Sequence, residues 1–245
     1  MTINAAGEAL LQTFERVRII NLPARRDRRR ETARQLARLG LAVDGERVAF
    51  HPASRPTDAG PFTTIGARGC FMSHLDILHT AATDGCASLL ILEDDVDFTR
   101  DAELRLPTTL ARLRQEEWGL FYGGYRNAGP PVRGEELAAV SPTLTIDTSH
   151  FVGFSAATIA AAAPYLARML ERAPGDPAGG PMHVDGAYNW LRREHSDLGT
   201  WLALPELGIQ RPSRTDVHQL GFADRTPLLR EMTELARQMA RRLRR

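Results

Sequence analysis

The stretch that most constrains this chain is Ala87-Ser88-Leu89-Leu90-Ile91-Leu92-Glu93-Asp94-Asp95-Val96-Asp97-Phe98, an apolar run that ends in acid. An uninterrupted Leu/Ile run bounded by charge reads as a strand buried on both faces, as in parallel α/β sheets. Open sheets of that kind bind ligands beyond the carboxyl ends of their strands, where this run delivers its acids. If residues 93–97 stay extended, Glu93, Asp95 and Asp97 share one face and Asp94 takes the other. Acids two apart would then lie about 6.6 Å from each other and repel by roughly 2.5 kcal/mol per pair at an effective dielectric near 20. A hard divalent cation suits such an all-oxygen cluster, and arginines from elsewhere are the alternative compensation. The competing reading is a solvated acidic turn that caps the next helix. The buried run in front of the acids favours the cation.

A sheet of this kind needs a large core, and 245 residues suffice for one large domain or at most two small ones. The apolar share of 43% and charged share of 25% fit an ordinary globular protein, and a formal net charge of +1 gives no global field to recruit nucleic acid. Every Lys/Arg position is arginine, which excludes lysine Schiff-base chemistry and lysine-dependent phosphate loops. Cys70 and Cys86 form no CxxC pair, which argues against a zinc framework and against disulfides. No basic segment followed by a long apolar one opens the chain, and no run reaches the eighteen or so residues of a bilayer span. The expectation is a cytoplasmic protein.

Taken in order, residues 1–15 read as a short docking or fraying segment with Leu10, Leu11 and Phe14 on a weak helical pattern. Val17 to Leu22 reads as a strand closed by Pro23. Arg25-Arg26-Asp27-Arg28-Arg29-Arg30 then opens a helix with Leu36 and Leu39 inward and Gly40 as its stop. Cations at a helix start oppose its dipole, so this cluster asks either for an anion such as a diphosphate or for surface acids such as Glu31. A second strand at Val48-Ala49-Phe50 and a long loop precede a helix from Gly66 to about Thr83. On it Cys70 and His74 share a face, but two ligands are too few for a metal and packing is the default for Cys70. Ser73 and His74 diverge on a helix, so they make a poor nucleophile and base.

Further on, Thr108–Glu117 reads as helix, Trp118–Tyr122 as buried strand, and the Gly/Pro-rich 125–136 as a loop able to close over substrate. Leu137–Ile146 and Thr148–Ser155 read as strands of a mixed sheet, Ala156–Arg172 as an alanine-rich helix, and His183-Val184-Asp185-Gly186 as the entry to another helix. Thr200–Leu204 reads as the last strand and Pro205–Asp216 as loop. A basic amphipathic helix over 223–245 would either pack on the domain or touch anionic lipid at the inner face of the cytoplasmic membrane. The implied division is an N-terminal segment 1–15, a single α/β domain 16–222 with a mixed, mainly parallel sheet, and the C-terminal helix.

Three stretches together resemble one family. Val17–Leu22 with Asp27-Arg28-Arg29, then Gly69-Cys70 with Ser73-His74, then Leu90-Ile91-Leu92-Glu93-Asp94-Asp95-Val96, are similar in order and spacing to the opening of glycosyltransferase family 25. That family includes lipopolysaccharide, lipooligosaccharide and collagen galactosyltransferases. Ser149–Ala163, Val184-Asp185, and Leu204-Pro205 through Gln210–Asp216 resemble its later blocks more loosely.

The resemblance implies a GT-A-like fold and an inverting transfer of a hexose, galactose or glucose, from a UDP-sugar to a cell-envelope glycan or lipid-linked acceptor. It implies Mn2+ or Mg2+ at Glu93 and Asp95, with Asp97 as a possible assistant to Asp95. Asn21, Asp27, Arg28 and Arg29 after the first strand are expected at the nucleotide sugar, as are Ser73, His74 and Asp94. Asp185 is the expected catalytic base on position and similarity, with Glu206 and Asp216 as fallbacks. Two other readings stay open: a metal-dependent nucleotidyltransferase or hydrolase, and a non-catalytic nucleotide-sugar-binding subunit.

Overall fold

Val17 to Asn21 forms the expected first strand, β1 (Arg16–Asn21), in a computed structural model that describes residues 3–127 and 134–211. It pairs in parallel with β2 (Val48–Pro52) and with β3 (Ser88–Glu93). Beyond β3 the sheet continues through β7 (Ile146–Ser155), β5 (Leu120–Asn127), β8 (Thr200–Leu204) and β6 (Glu136–Val140), in the order β2-β1-β3-β7-β5-β8-β6. Strands β2, β1, β3, β5 and β8 run one way and β7 and β6 the other, giving the mixed, mainly parallel α/β sheet expected.

The apolar run is buried on both faces because helices cover both. Leu89 and Ile91 pack into a core shared with α3 (Ile65–Thr83), α5 (Ala156–Glu171) and α6 (Val184–Glu194). Leu90 and Leu92 pack against α1 (Ala5–Thr13), α2 (Arg26–Arg38) and α4 (Ala102–Leu113) on the other side. These four side chains are at most 1% exposed, and burying each contributes about 1.5–3 kcal/mol. Strand alternation therefore assigns sides at the edge: Glu93 continues the parity of Leu89 and Ile91 toward α3 and α6, and Asn21 continues that of Val17 and Ile19 toward α2.

The acidic run does not stay extended. β3 stops at Glu93, Asp94 and Asp95 form a turn, and β4 (Val96–Phe98) sets off in a separate two-stranded ribbon. The partner of β4 is β9 (Gly208–Gln210), antiparallel, in the segment expected to be loop. Turn-forming Asp residues and the mutual repulsion of adjacent carboxylates break the strand there.

Other boundaries shift for local reasons. α4 begins at Ala102 rather than Thr108 and carries Pro107 inside, because the stripe Ala102, Leu106, Leu110 and Leu113 buries completely and outweighs one lost backbone bond. α1 docks on α4 through Ala6, Ala9 and Leu10. The expected loop 125–136 is narrowed at both ends by β5 and β6, and its residues 128–133 lie outside the described residues. So does the whole of the expected helix 223–245. No helix among the described residues is long and apolar enough to cross a membrane.

Candidate active site

At the carboxyl edge of β1 and β3, the three acids of the turn take three different environments. Asp94 is 6% exposed and is held from both sides: Asn21 Nδ2 donates to one oxygen at 2.7 Å and Arg28 Nη1 to the other at 2.8 Å. The buried Thr32 hydroxyl donates to the Asp94 carbonyl at 2.9 Å, tying α2 to the same turn. Asp94 thus fixes the turn while Asn21 keeps a buried Oδ1 with no hydrogen-bond partner among the described residues.

Asp95 is the exception. It is 3% exposed, its Oδ1 has no hydrogen-bond partner among the described residues, and its Oδ2 lies 3.5 Å from Gln210 Nε2 and 3.8 Å from Arg28 Nη1. Burial above all, then the charges of Glu93 and Asp94, push its carboxyl up to about 7 against the pull of Arg28 and Arg211. A buried carboxylate with an oxygen to spare is a fitting donor for a hard divalent cation.

Glu93 turns toward α3. Its Oε1 accepts from Ser149 Oγ at 2.9 Å and lies 3.8 Å from His74 Nε2. Burial raises its pKa, but His74, His150 and Ser149 together outweigh that and hold it low. His74 is fully buried on α3, with Tyr188 Oη at 2.8 Å from Nδ1 and no hydrogen-bond partner for Nε2 among the described residues.

Asp97, the third member of the expected acidic face, does not join them. It is fully buried and receives Arg211 Nη2 at 2.7 Å and Gln35 Nε2 at 3.1 Å, while Arg211 also pairs with Glu31. The arginine alternative of the sequence reading therefore holds for Asp97, and the vacant oxygen for Asp95. Arg211 also donates its backbone N–H to the Asp95 carbonyl at 2.7 Å, so β9 braces the turn.

Of the other expected residues, Asp27 points outward in a pair with Arg25 at 2.9 Å, which holds its carboxyl well below the usual range. Arg29 stacks over the Phe50 ring at 4.4 Å. Ser73 clasps a loop, accepting from Ser54 N at 2.9 Å and donating to Gly69 O at 2.7 Å. Asp185 sits in the first turn of α6 rather than at its N-cap, and its carboxylate accepts from Thr148 N at 3.0 Å and Gly186 N at 2.8 Å. Thr148 takes a left-handed φ of 69° within β7, directly before Ser149, so Asp185 supports the strained point of the strand that presents Ser149 to Glu93. Glu206 lies between β8 and β9, and Asp216 is outside the described residues.

Sequence reasoning did not assign roles to Ser149, His150, Gln210 and Arg211. Their only signal was membership of the loosely matching later blocks. His150 is 2% exposed and bridges Thr148 Oγ1 and the Gly208 carbonyl, joining β7 to β9, and burial lowers its pKa.

Residues 14–127 match the model of Glycosyltransferase family 25 (LPS biosynthesis protein). A Bos taurus protein named probable inactive glycosyltransferase 25 family member 3 is 30% identical over 145 residues, 52% of this chain and 24% of its own length. Procollagen galactosyltransferase 1 of Danio rerio is 30% identical over 129 residues, 45% of this chain and 21% of its own. The chain spans about a quarter of the length of these curated relatives. Among solved structures, a glycosyltransferase involved in glycosylation of the major capsid of PBCV-1 superposes with a TM-score of 0.49 at 13% identity, covering 90% of this chain and 99% of that one. The matched residues, 14–127, hold Asn21, Arg28, His74 and the Glu93-Asp94-Asp95 turn, so the similarity to glycosyltransferase family 25 falls on the part of the chain that carries this sheet edge.

Proposed function

We propose that this chain transfers a hexose, galactose or glucose, from a UDP-sugar to a cell-envelope glycan or lipid-linked acceptor. The observation that carries this reading is the buried Oδ1 of Asp95 at the sheet edge, which has no hydrogen-bond partner among the described residues, with Arg28 beside it. Asp95, with Glu93 as the neighbouring acid, would hold Mn2+ or Mg2+, and a cation there would neutralise charge on the leaving nucleoside diphosphate. Arg28, anchored by Asp94, directs positive charge toward the same edge, where diphosphate oxygens would meet it. The Oδ1 of Asn21, without a hydrogen-bond partner among the described residues, is an acceptor for a donor N–H or hydroxyl. Asp185 takes the acceptor hydroxyl proton in the inverting displacement, its carboxylate oriented by two backbone N–H groups.

Two measurements test this. Calorimetric titration of a panel of nucleotide sugars with and without Mn2+ should show a UDP-hexose binding at least about tenfold more tightly with metal, a gain of about 1.4 kcal/mol. Asp95→Asn should lose that gain, and equal metal dependence in the variant would end the metal assignment. Asp185→Asn should keep donor affinity and lose transfer by about 100-fold or more. Full turnover in that variant would remove Asp185 from the reaction.

A second reading has one observation of its own, the inactive designation in the names of several relatives. On it the chain binds donor and metal without transfer. Donor binding with neither transfer nor slow donor hydrolysis would select it.

A further inference from the structure

Two residues spaced four apart on one helix are too few to hold a metal, and the sequence offers Cys70 and His74 no third partner nearby. The fold supplies one. Strand parity turns Glu93 toward α3, and a ligand atom from each of Cys70, His74 and Glu93 falls within 4.8 Å of the other two. We propose that these three residues form a binding site for a borderline-soft divalent cation, Zn2+ in preference to Mg2+ or Mn2+, distinct from the all-oxygen position at Asp95.

Three features point to a ligand there rather than to packing. His74 is fully buried, yet its Nε2 has no hydrogen-bond partner among the described residues and is aimed at Glu93 Oε1, 3.8 Å away. Its other nitrogen is already engaged by Tyr188 Oη at 2.8 Å. If Nδ1–H donates to that oxygen, Nε2 presents its lone pair inward, which is how a metal-ligating histidine is fixed by an outer partner.

The donor set decides the cation. A thiolate, an imidazole and one carboxylate match Zn2+, whereas Mg2+ prefers oxygen alone. Tetrahedral arms of about 2.0–2.3 Å place ligand atoms roughly 3.3–3.5 Å apart, so a pair at the 4.8 Å limit must close by about 1.3–1.5 Å. Side-chain rotation of Cys70 and Glu93 can supply this. Both are part-exposed, which also gives the ion a way in. A solvent molecule would take the fourth position, beside the Ser149 hydroxyl already on Glu93. Binding releases the Cys70 thiol proton to solvent, and no electron is transferred.

Glu93 is the one residue shared with the hard-cation position, and the proposal stands whether or not the donor reading does. The test uses the full chain freed of metal by a chelator and titrated with Co2+, which takes zinc's ligands and reports a thiolate through a near-ultraviolet sulfur-to-metal charge-transfer band. We expect a band that saturates at one equivalent and is bleached by Zn2+. Cys70→Ser should lose it, His74→Ala and Glu93→Gln should weaken Co2+ binding at least about tenfold, and Cys86→Ser and Asp95→Asn should keep it. Absence of the band in the parent chain, its survival in Cys70→Ser, or its loss in Cys86→Ser would overturn the proposal. Because Cys70→Ser removes a packed side chain, bound Zn2+ is also counted in the unaltered protein. One ion per chain that about a hundredfold excess of Mg2+ leaves in place supports the site, and displacement by Mg2+ refutes it.

Discussion

Asp95 and Asp97 lie two positions apart, both buried, and pose opposite problems for stability. Asp97 is matched by Arg211 and Gln35, so Arg211→Ala would strand a buried carboxylate. Such a loss costs about 3–5 kcal/mol, read as a lower urea midpoint. Asp95 has weaker partners, Gln210 Nε2 at 3.5 Å and Arg28 Nη1 at 3.8 Å, and its carboxyl is raised to about 7. Between roughly pH 4 and 7 the folded chain therefore holds a proton that the unfolded chain, with an ordinary Asp, has released. That contribution is fully present at low pH and is lost as pH rises through about 7, with an upper bound on the order of 4 kcal/mol. In chelator, the urea midpoint should fall between about pH 5 and pH 8 in the parent protein and change much less in Asp95→Asn. Parallel profiles for the two proteins would contradict the assignment. Added Mn2+ should flatten the parent's profile, since a cation replaces the proton.

The turn keeps its shape because two short strands, β4 and β9, hold it from the far side. Their ribbon packs so closely on β5 that a Cβ on Gly124 would run into His150 Nε2 and the Gly208 carbonyl. Gly124→Ala should therefore push β9 outward and cost about 1–3 kcal/mol, with altered His150 ring resonances reporting the displacement. An unshifted His150 spectrum would show that β9 does not depend on that contact.

The long elements were legible in the sequence because they have period. β1, β3 and β8 carry apolar runs, and α5 is a run of alanines with Ser155 as its cap. β9 was not legible, since Gly208-Ile209-Gln210 is too short to alternate, and its reason for being a strand is β4. Local spacing leaves the acidic run open between an extended end and an acidic turn, and it is the turn that forms at Asp94-Asp95. Arg28 could be told from Arg29 only in space: one meets Asp94, the other lies over Phe50.

Across the molecule, the sheet joins a parallel half, β2-β1-β3, to a second half through the reversed strand β7. The acids come from the first half, while Ser149, His150, Asp185, Gln210 and Arg211 come from the second and its appendages. Order, direction and helical layers of the first half follow from its sequence, whereas the assembly of the second around β7 follows from pairings across long separations. β3 has β7 as its neighbour, and β5 lies between β7 and β8, both later in the chain than residue 145. α4, likewise, leans on α1, which precedes residue 14. An excised piece holding just positions 14–127 would bare Leu90, Leu120 and Phe121 to water along two unzipped margins. Such a piece should give a poorly dispersed amide spectrum and aggregate on concentration, despite retaining every residue that the family model matches.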